Sequence, residues 1–278
     1  METAMKRQFE PGIYRGIPNE DYHAAHGISS SDLKKIWATT PAHWKHYKDH
    51  PEPATEAMNL GTAVHALVLE PDLAEGMIAV APKVDRRTKI GKATWEDFQI
   101  ESAGKLVVTE DQWAKAQAMA EKVMAHPQAR EALSGGAAEQ SVFTEHHGHI
   151  LKARPDYWTG PLLSDLKTTA DASPDGFQRQ AAKLAYHIQA AYYLHVCSQH
   201  APAEAFVFIA VENVAPFEVA CYLLDDDALA IGRDHMHEAL QTLLQAKRSG
   251  HYPGYSSSVE LLGLPGWMVA RHEYSRAA

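Results

Sequence analysis

At Gly135-Gly136 the chain changes character, from helix-like patterns to short segments separated by turn residues. Residues 141–144, 149–158 and 162–168 then read as a meander of three strands. Residues 174–199 follow as one long helix, with Phe177, Leu184, Ile188, Ala191 and Tyr192 on its apolar side. Two further strands, 205–211 and 217–224, lead to a helix over 225–249, whose leading acids Asp225, Asp226 and Asp227 suit the positive end of its dipole. Before the glycine pair, residues 11–28 read as an extended lead-in, and Ser29-Ser30-Ser31-Asp32 opens a helix that Pro41 ends or restarts. A second helix covers 56–70 and stops at Pro71, and 81–92 form a basic loop. Residues 95–133 are helical, broken near Gly104 and His126-Pro127. This order of elements implies one α/β domain over residues 1–278: a mainly helical cap over 1–135, an αβ core over 136–250, and a surface tail over 251–278.

Composition narrows the class of molecule. With 278 residues, 45% of them hydrophobic, the chain can bury a large core. It has no run of 18 apolar residues, and Met1–Gly12 lacks the apolar stretch of a secretory signal, so the cytoplasm is the expected compartment. Two cysteines, Cys197 and Cys221, cannot make a four-cysteine metal site and are expected as buried thiols. The net charge of −9 conceals two basic stretches. One holds Lys83, Arg86, Arg87, Lys89 and Lys92; the other, from Lys34 to Lys48, is interleaved with Trp37, Trp44 and Tyr47. Phosphate binding needs a local basic patch and not a basic protein, although a solvated loop and a surface helix explain the same residues equally well.

The chemistry sits in the meander. Pro155-Asp156 ends one expected strand, and Asp165-Leu166-Lys167 lies in the next. Residues two apart in a strand face the same way, so Asp165 and Lys167 project together while Leu166 enters the core. A hairpin brings Asp156 alongside. Two carboxylates converging with a lysine can hold a hard divalent cation and position water for attack on phosphorus. A surface ion pair between Asp165 and Lys167 is the plainer alternative. Asp32-Leu33-Lys34 repeats the D-x-K spacing but has no partner acid in the sequence around it. His146, His147 and His149 have no acid or cysteine at ligand spacing and are expected to decorate a hairpin.

The segments EPGIYRGIPNEDYH, GISSSDLKKI, NLGTAVHALVLEPD, PKVDRRTKIGK, MAHPQAR, AEQS, ARPDYW, SDLKTTAD and YHIQAAYY occur in order along nearly the whole chain. Together they resemble RecE-type exonucleases, the nuclease domain of exodeoxyribonuclease VIII, within the PD-(D/E)xK nuclease superfamily. The resemblance implies a central mixed β-sheet flanked by helices. It assigns Asp156, Asp165, His65 and the Leu166 carbonyl to a metal, Mg²⁺ with Mn²⁺ as a substitute. It makes Lys167 the catalytic lysine, with Glu139, Gln189 and Tyr193 beside it. It places Arg86, Arg87, Lys89 and Arg154 on DNA. Ser29, Ser30 and Ser31 precede a helix whose free N–H groups and dipole suit a 5′-phosphate, although capping explains one of them equally well. The implied activity is 5′→3′ degradation of linear duplex DNA, leaving 3′ overhangs for phage-type recombination. The implied partners are DNA ends, an annealing protein similar to RecT, and further copies of the chain in a tetrameric ring. An endonuclease of the same fold and a non-catalytic DNA-end-binding protein are the competing readings. Tyr252-Pro253-Gly254 departs from the Trp-Pro-Gly of the family without touching the chemistry.

Overall fold

The computed structural model describes residues 8–268. The chain opens with β1 (Gly12–Tyr14), α1 (Asn19–Ala24), α2 (Ser30–Ala38), α3 (Pro41–Asp49), α4 (Glu56–Leu69) and α5 (Pro71–Met77). It continues through β2 (Ile78–Val80), α6 (Lys89–Glu101), β3 (Leu106–Val108), α7 (Glu110–Ala125) and α8 (Pro127–Ala132). Next come β4 (Ala137–Ala138), β5 (Ser141–His146), β6 (His149–Ala153), β7 (Tyr157–Trp158) and β8 (Leu162–Thr169). The remaining elements are α9 (Pro174–Lys183), α10 (Tyr186–Cys197), β9 (Ala205–Glu212), β10 (Val219–Leu223) and α11 (Asp226–Ser249).

The central sheet is mixed, in the order β10-β9-β8-β7-β4, with β8 and β9 parallel and the other neighbours antiparallel. Alternation along its strands builds a core on each face. Leu163, Phe206, Phe208 and Ala210 face one core, shared with α2, α10 and α11. Leu166, Ile209 and Val211 face the other, shared with α4, α7 and α8. The N-terminal helices therefore cover both faces of the sheet. Burying side chains as large as Phe206, Leu166 or Ile209 contributes about 1.5–3 kcal/mol each.

Several elements differ from expectation, each for a local reason. The strand expected at 149–158 is two strands. β6 pairs with β5 in a separate three-stranded sheet, whereas β7 joins the central sheet. The break falls at Arg154-Pro155-Asp156, where Pro155 has no N–H to give to a ladder. The helix expected at 174–199 is also two, α9 and α10. Ala185 between them has φ +53°, a left-handed conformation that sequence propensity does not announce for alanine. Leu184, expected on the apolar side, is exposed at this break. Pro41 and Pro71 each begin a new helix at its first position, and β2 pairs in parallel with β3, which lies inside the 95–133 segment read as helical. The lead-in holds both β1 and α1. Between α10 and α11 the backbones approach so closely that a Cβ on Gly232 would lie 2.3 Å from the His187 carbonyl oxygen. Of the tail, Pro253 accepts from Ala42 N, and Tyr252 stacks on Trp44. Residues 269–278 lie outside the described residues. Cys197 is buried and Cys221 half-buried, both free thiols.

α2 is fixed by Asp32, which is buried. One carboxylate oxygen accepts from Ser29 N and Ser29 Oγ, at 2.8 and 2.7 Å. The other accepts from Trp44 Nε1 and Lys48 Nζ, both at 2.9 Å. Burial alone would raise this carboxyl, but Lys48 and Ser29 together hold it below its usual value. A group lowered on folding stabilises the fold above its unfolded pKa, about 3.9, and loses that contribution as pH falls through the folded value. Asp32→Asn should therefore cost about 2–3 kcal/mol at pH 7 in urea unfolding, and the gap from the native chain should shrink at pH 3. Equal midpoints at pH 7 would show that the four donors do not hold α2.

Candidate active site

β8 runs past the end of β7. The last antiparallel pair in its direction is Tyr157 with Ser164, so the edge of β8 at Leu166 has no strand beside it. Asp156 fills that gap: its Oδ2 accepts from Leu166 N at 2.6 Å. The Leu166 carbonyl, on the same edge, accepts from His65 Nε2 at 2.8 Å, with the imidazole proton on that nitrogen. His65 comes from α4, on the opposite side of the sheet from α10, and its Nδ1 lies 3.5 Å from Asp156 Oδ2. The Leu166 side chain is 1% exposed and anchors this arrangement in the core.

Asp165 and Lys167 point to the other face. Asp165 Oδ1 accepts from Gln189 Nε2 of α10 at 2.6 Å, and Asp165 Oδ2 lies 2.5 Å from Lys167 Nζ. That buried oxygen has no aligned hydrogen-bond partner. Burial would lower Lys167, but Asp165 and then Asp156 hold it above its ordinary value, so it keeps its proton. The Lys167 ammonium also sits 5.0 Å from the centre of the Tyr186 ring.

Glu139 joins from the turn between β4 and β5, in a left-handed conformation with φ +50°. Its backbone N–H donates to the Asp156 carbonyl, and Arg154 Nη1 lies 3.9 Å from its carboxylate. One ligand atom each from His65, Glu139 and Asp156 lie within 4.8 Å of one another. Burial and the Asp156 charge raise Glu139 above the ordinary carboxylate range, and burial and the Asp165 charge raise Asp156. Crowded carboxylates with an imidazole and an unaligned buried oxygen fit a divalent cation, which would relieve the repulsion that disfavours their charged forms.

The structure thus gathers His65, Glu139, Asp156, Asp165, Leu166, Lys167 and Gln189 around one strand edge. Tyr193, four residues after Gln189, is half-buried, with its hydroxyl in reach of Ser30. The Leu166 carbonyl, expected as a metal ligand, is taken by His65. Arg154, expected on DNA, is instead buried: it donates to Ser141 Oγ and the Ile17 carbonyl and stacks over Tyr22. Ser29 spends its hydroxyl on Asp32, Ser30 is buried, and only Ser31 of the three is exposed. Arg86, Arg87 and Lys89 are exposed where the 81–88 loop enters α6, and the Arg86 guanidinium lies over the Trp95 ring at 4.6 Å. His146, His147 and His149 do flank the β5–β6 turn.

Two residues that sequence reasoning did not place here belong to the site. Tyr186, the first residue of α10, lies under Lys167. Lys34 of α2 donates to Gln189 Oε1 at 3.3 Å. Its D-x-K had been set apart for want of a nearby acid, but the basic and aromatic stretch beginning at Lys34 carried the signal.

Comparison with known proteins bears on family and fold. No curated protein matches the chain. The crystal structure of a "Putative exonuclease" from Eubacterium rectale is similar in fold, with TM-score 0.63 and 13% identity, over 93% of this chain and 98% of that one. A phage-related exonuclease from Haemophilus somnus 129PT, also 13% identical, aligns over 82% of this chain and 99% of that one, but its TM-score of 0.36 carries no argument. The sequence matches, over residues 29–265, the family described as "PDDEXK-like domain of unknown function (DUF3799)". The chain belongs to that PDDEXK-like family, the nuclease-fold class to which Asp156, Asp165 and Lys167 pointed.

Proposed function

We propose that this chain is a divalent-metal-dependent exonuclease that degrades linear duplex DNA from its 5′ ends, leaving 3′ overhangs for phage-type recombination. The observation that carries the reading is Asp156 on the Leu166 edge of β8, close enough to the Asp165–Lys167 pair beside it for both charges to act on its carboxyl. The name borne by the Eubacterium rectale protein favours an exonuclease over an endonuclease of the same fold.

His65, Glu139, Asp156 and Asp165 are the residues that would hold the metal, Mg²⁺ or Mn²⁺. When bound, such an ion polarises a phosphate oxygen and lowers the pKa of a coordinated water. The chain's own residues perform the rest. Lys167, held protonated, presents a fixed cation to the phosphate and orients the attacking water. Gln189 locks the Asp165 carboxylate in one orientation. Tyr193, one turn along α10 from Gln189, is a half-buried phenol whose proton is firmly retained. Arg86 and Arg87 on the 81–88 loop and Lys89 at the start of α6 lie exposed, suited to the charge of a passing backbone. An annealing protein similar to RecT as partner and a tetrameric ring for processivity belong to the same proposal. Among the described residues no helix is long and apolar enough to cross a membrane.

Linear duplex labelled at either end should be shortened from the 5′ side in Mg²⁺, while covalently closed circles stay intact. Asp165→Ala should lower the rate by about a thousandfold or more, the scale of several kcal/mol of lost charge stabilisation. Undiminished cleavage by that variant removes the site assignment, and cutting of closed circles favours an endonuclease. Metal binding offers a separate check. Asp156→Asn should weaken Mn²⁺ binding in calorimetry by at least about tenfold, and unchanged affinity would place the ion elsewhere.

A further inference from the structure

Lys34 stands out among the site's charges. Its ammonium can donate three hydrogen bonds. It makes one, a long one, to the neutral Gln189 amide oxygen. Its other contact is the face of Tyr186, 5.7 Å from the ring centre. Among the described residues no carboxylate lies within ion-pair range of it. The acid whose charge acts on it, Asp165, already has one oxygen on Gln189 and the other beside Lys167. Two ammonium groups therefore share one aromatic ring and one carboxylate. Burial, and then the like charge of Lys167, pull the Lys34 pKa down to about 8. A half-buried cation with no counter-ion is costly to keep, and the fold gains little packing from it that an apolar chain of equal length would not supply. A charge left unneutralised beside a nuclease centre suits an anion that arrives from outside.

We propose that Lys34 is a second substrate-binding cation: its ammonium takes a DNA backbone phosphate next to the one that Lys167 faces. Tyr186 is the shared support that keeps the two ammonium groups apart. The inference rests on the nuclease reading above, and the D-x-K of α2 then serves twice, with Asp32 holding the helix and Lys34 holding the substrate. The alternative is that Lys34 merely orients Gln189, and through it Asp165.

A lysine that contacts phosphate leaves a salt signature, because each neutralised phosphate releases counterion from the duplex. Binding of a fluorescent blunt duplex would be followed by anisotropy across a salt series, with Ca²⁺ in place of Mg²⁺. Lys34→Met and Lys34→Gln should bind about tenfold more weakly and lower the slope of log Kd against log salt by about one. Lys34→Arg should keep the slope. In Mg²⁺ the Met variant should raise KM more than it lowers kcat, with its melting temperature unchanged or raised. A Met variant with native slope and affinity overturns the proposal. So does a loss confined to kcat, which would make Lys34 a positioning residue for Gln189. A lowered slope in a protein that cleaves no duplex supports the phosphate contact while refuting the nuclease reading, so the two failures are distinguishable.

Discussion

One peptide edge organises this centre. Leu166 presents its N–H and its carbonyl on the side of β8 that β7 is too short to cover. Asp156 takes the first and His65 the second. Any strand that continued beside β8 would satisfy those groups and close the site. Pro155 prevents that continuation by interrupting β6 and β7. The same interruption sends β6 into a different sheet, so the gap that admits the carboxylate follows from the topology. The Leu166 side chain, locked into the core under α4 and α7, keeps the edge from shifting.

Around that edge the charges are sorted. Asp165 and Lys167 face α10, where Gln189, Tyr186 and Lys34 meet them. Asp156 and Glu139 lie with His65. Acids raised by burial and mutual repulsion sit close to the ammonium groups of Lys167 and Lys34. Such an arrangement is poorly balanced in isolation, and a divalent ion together with a phosphodiester would balance both sides at once. The two-stage helix α9–α10 matters here, because the turn at Ala185 sets the start of α10 at Tyr186, beside Lys167.

Much of this was legible in the sequence. The strand-rich stretch, its D-x-K and the preceding Pro-Asp could be read from turn residues and strand alternation, but not the division of those strands between two sheets. The family segments added His65, Glu139 and Gln189, none of which spacing could have chosen. What escaped depended on tertiary context. Leu184 and Ala185 are ordinary helix residues, so nothing local announced a break there. Arg154 follows a strand and looked available to DNA, yet its guanidinium is consumed by Ser141, Ile17 and Tyr22. Lys34 looked like a helix-surface residue because its partner, Gln189, lies 155 positions away. Long-range pairings of this kind leave no trace in a local pattern.

The central claim is that His65, Glu139, Asp156 and Asp165 jointly enclose a divalent ion at the Leu166 edge. Anomalous scattering from crystals soaked in Mn²⁺ tests it most directly. The account requires a single strong peak, or an adjacent pair, among those four side chains. A peak bound only by other residues, with the four left as they stand here, would contradict it.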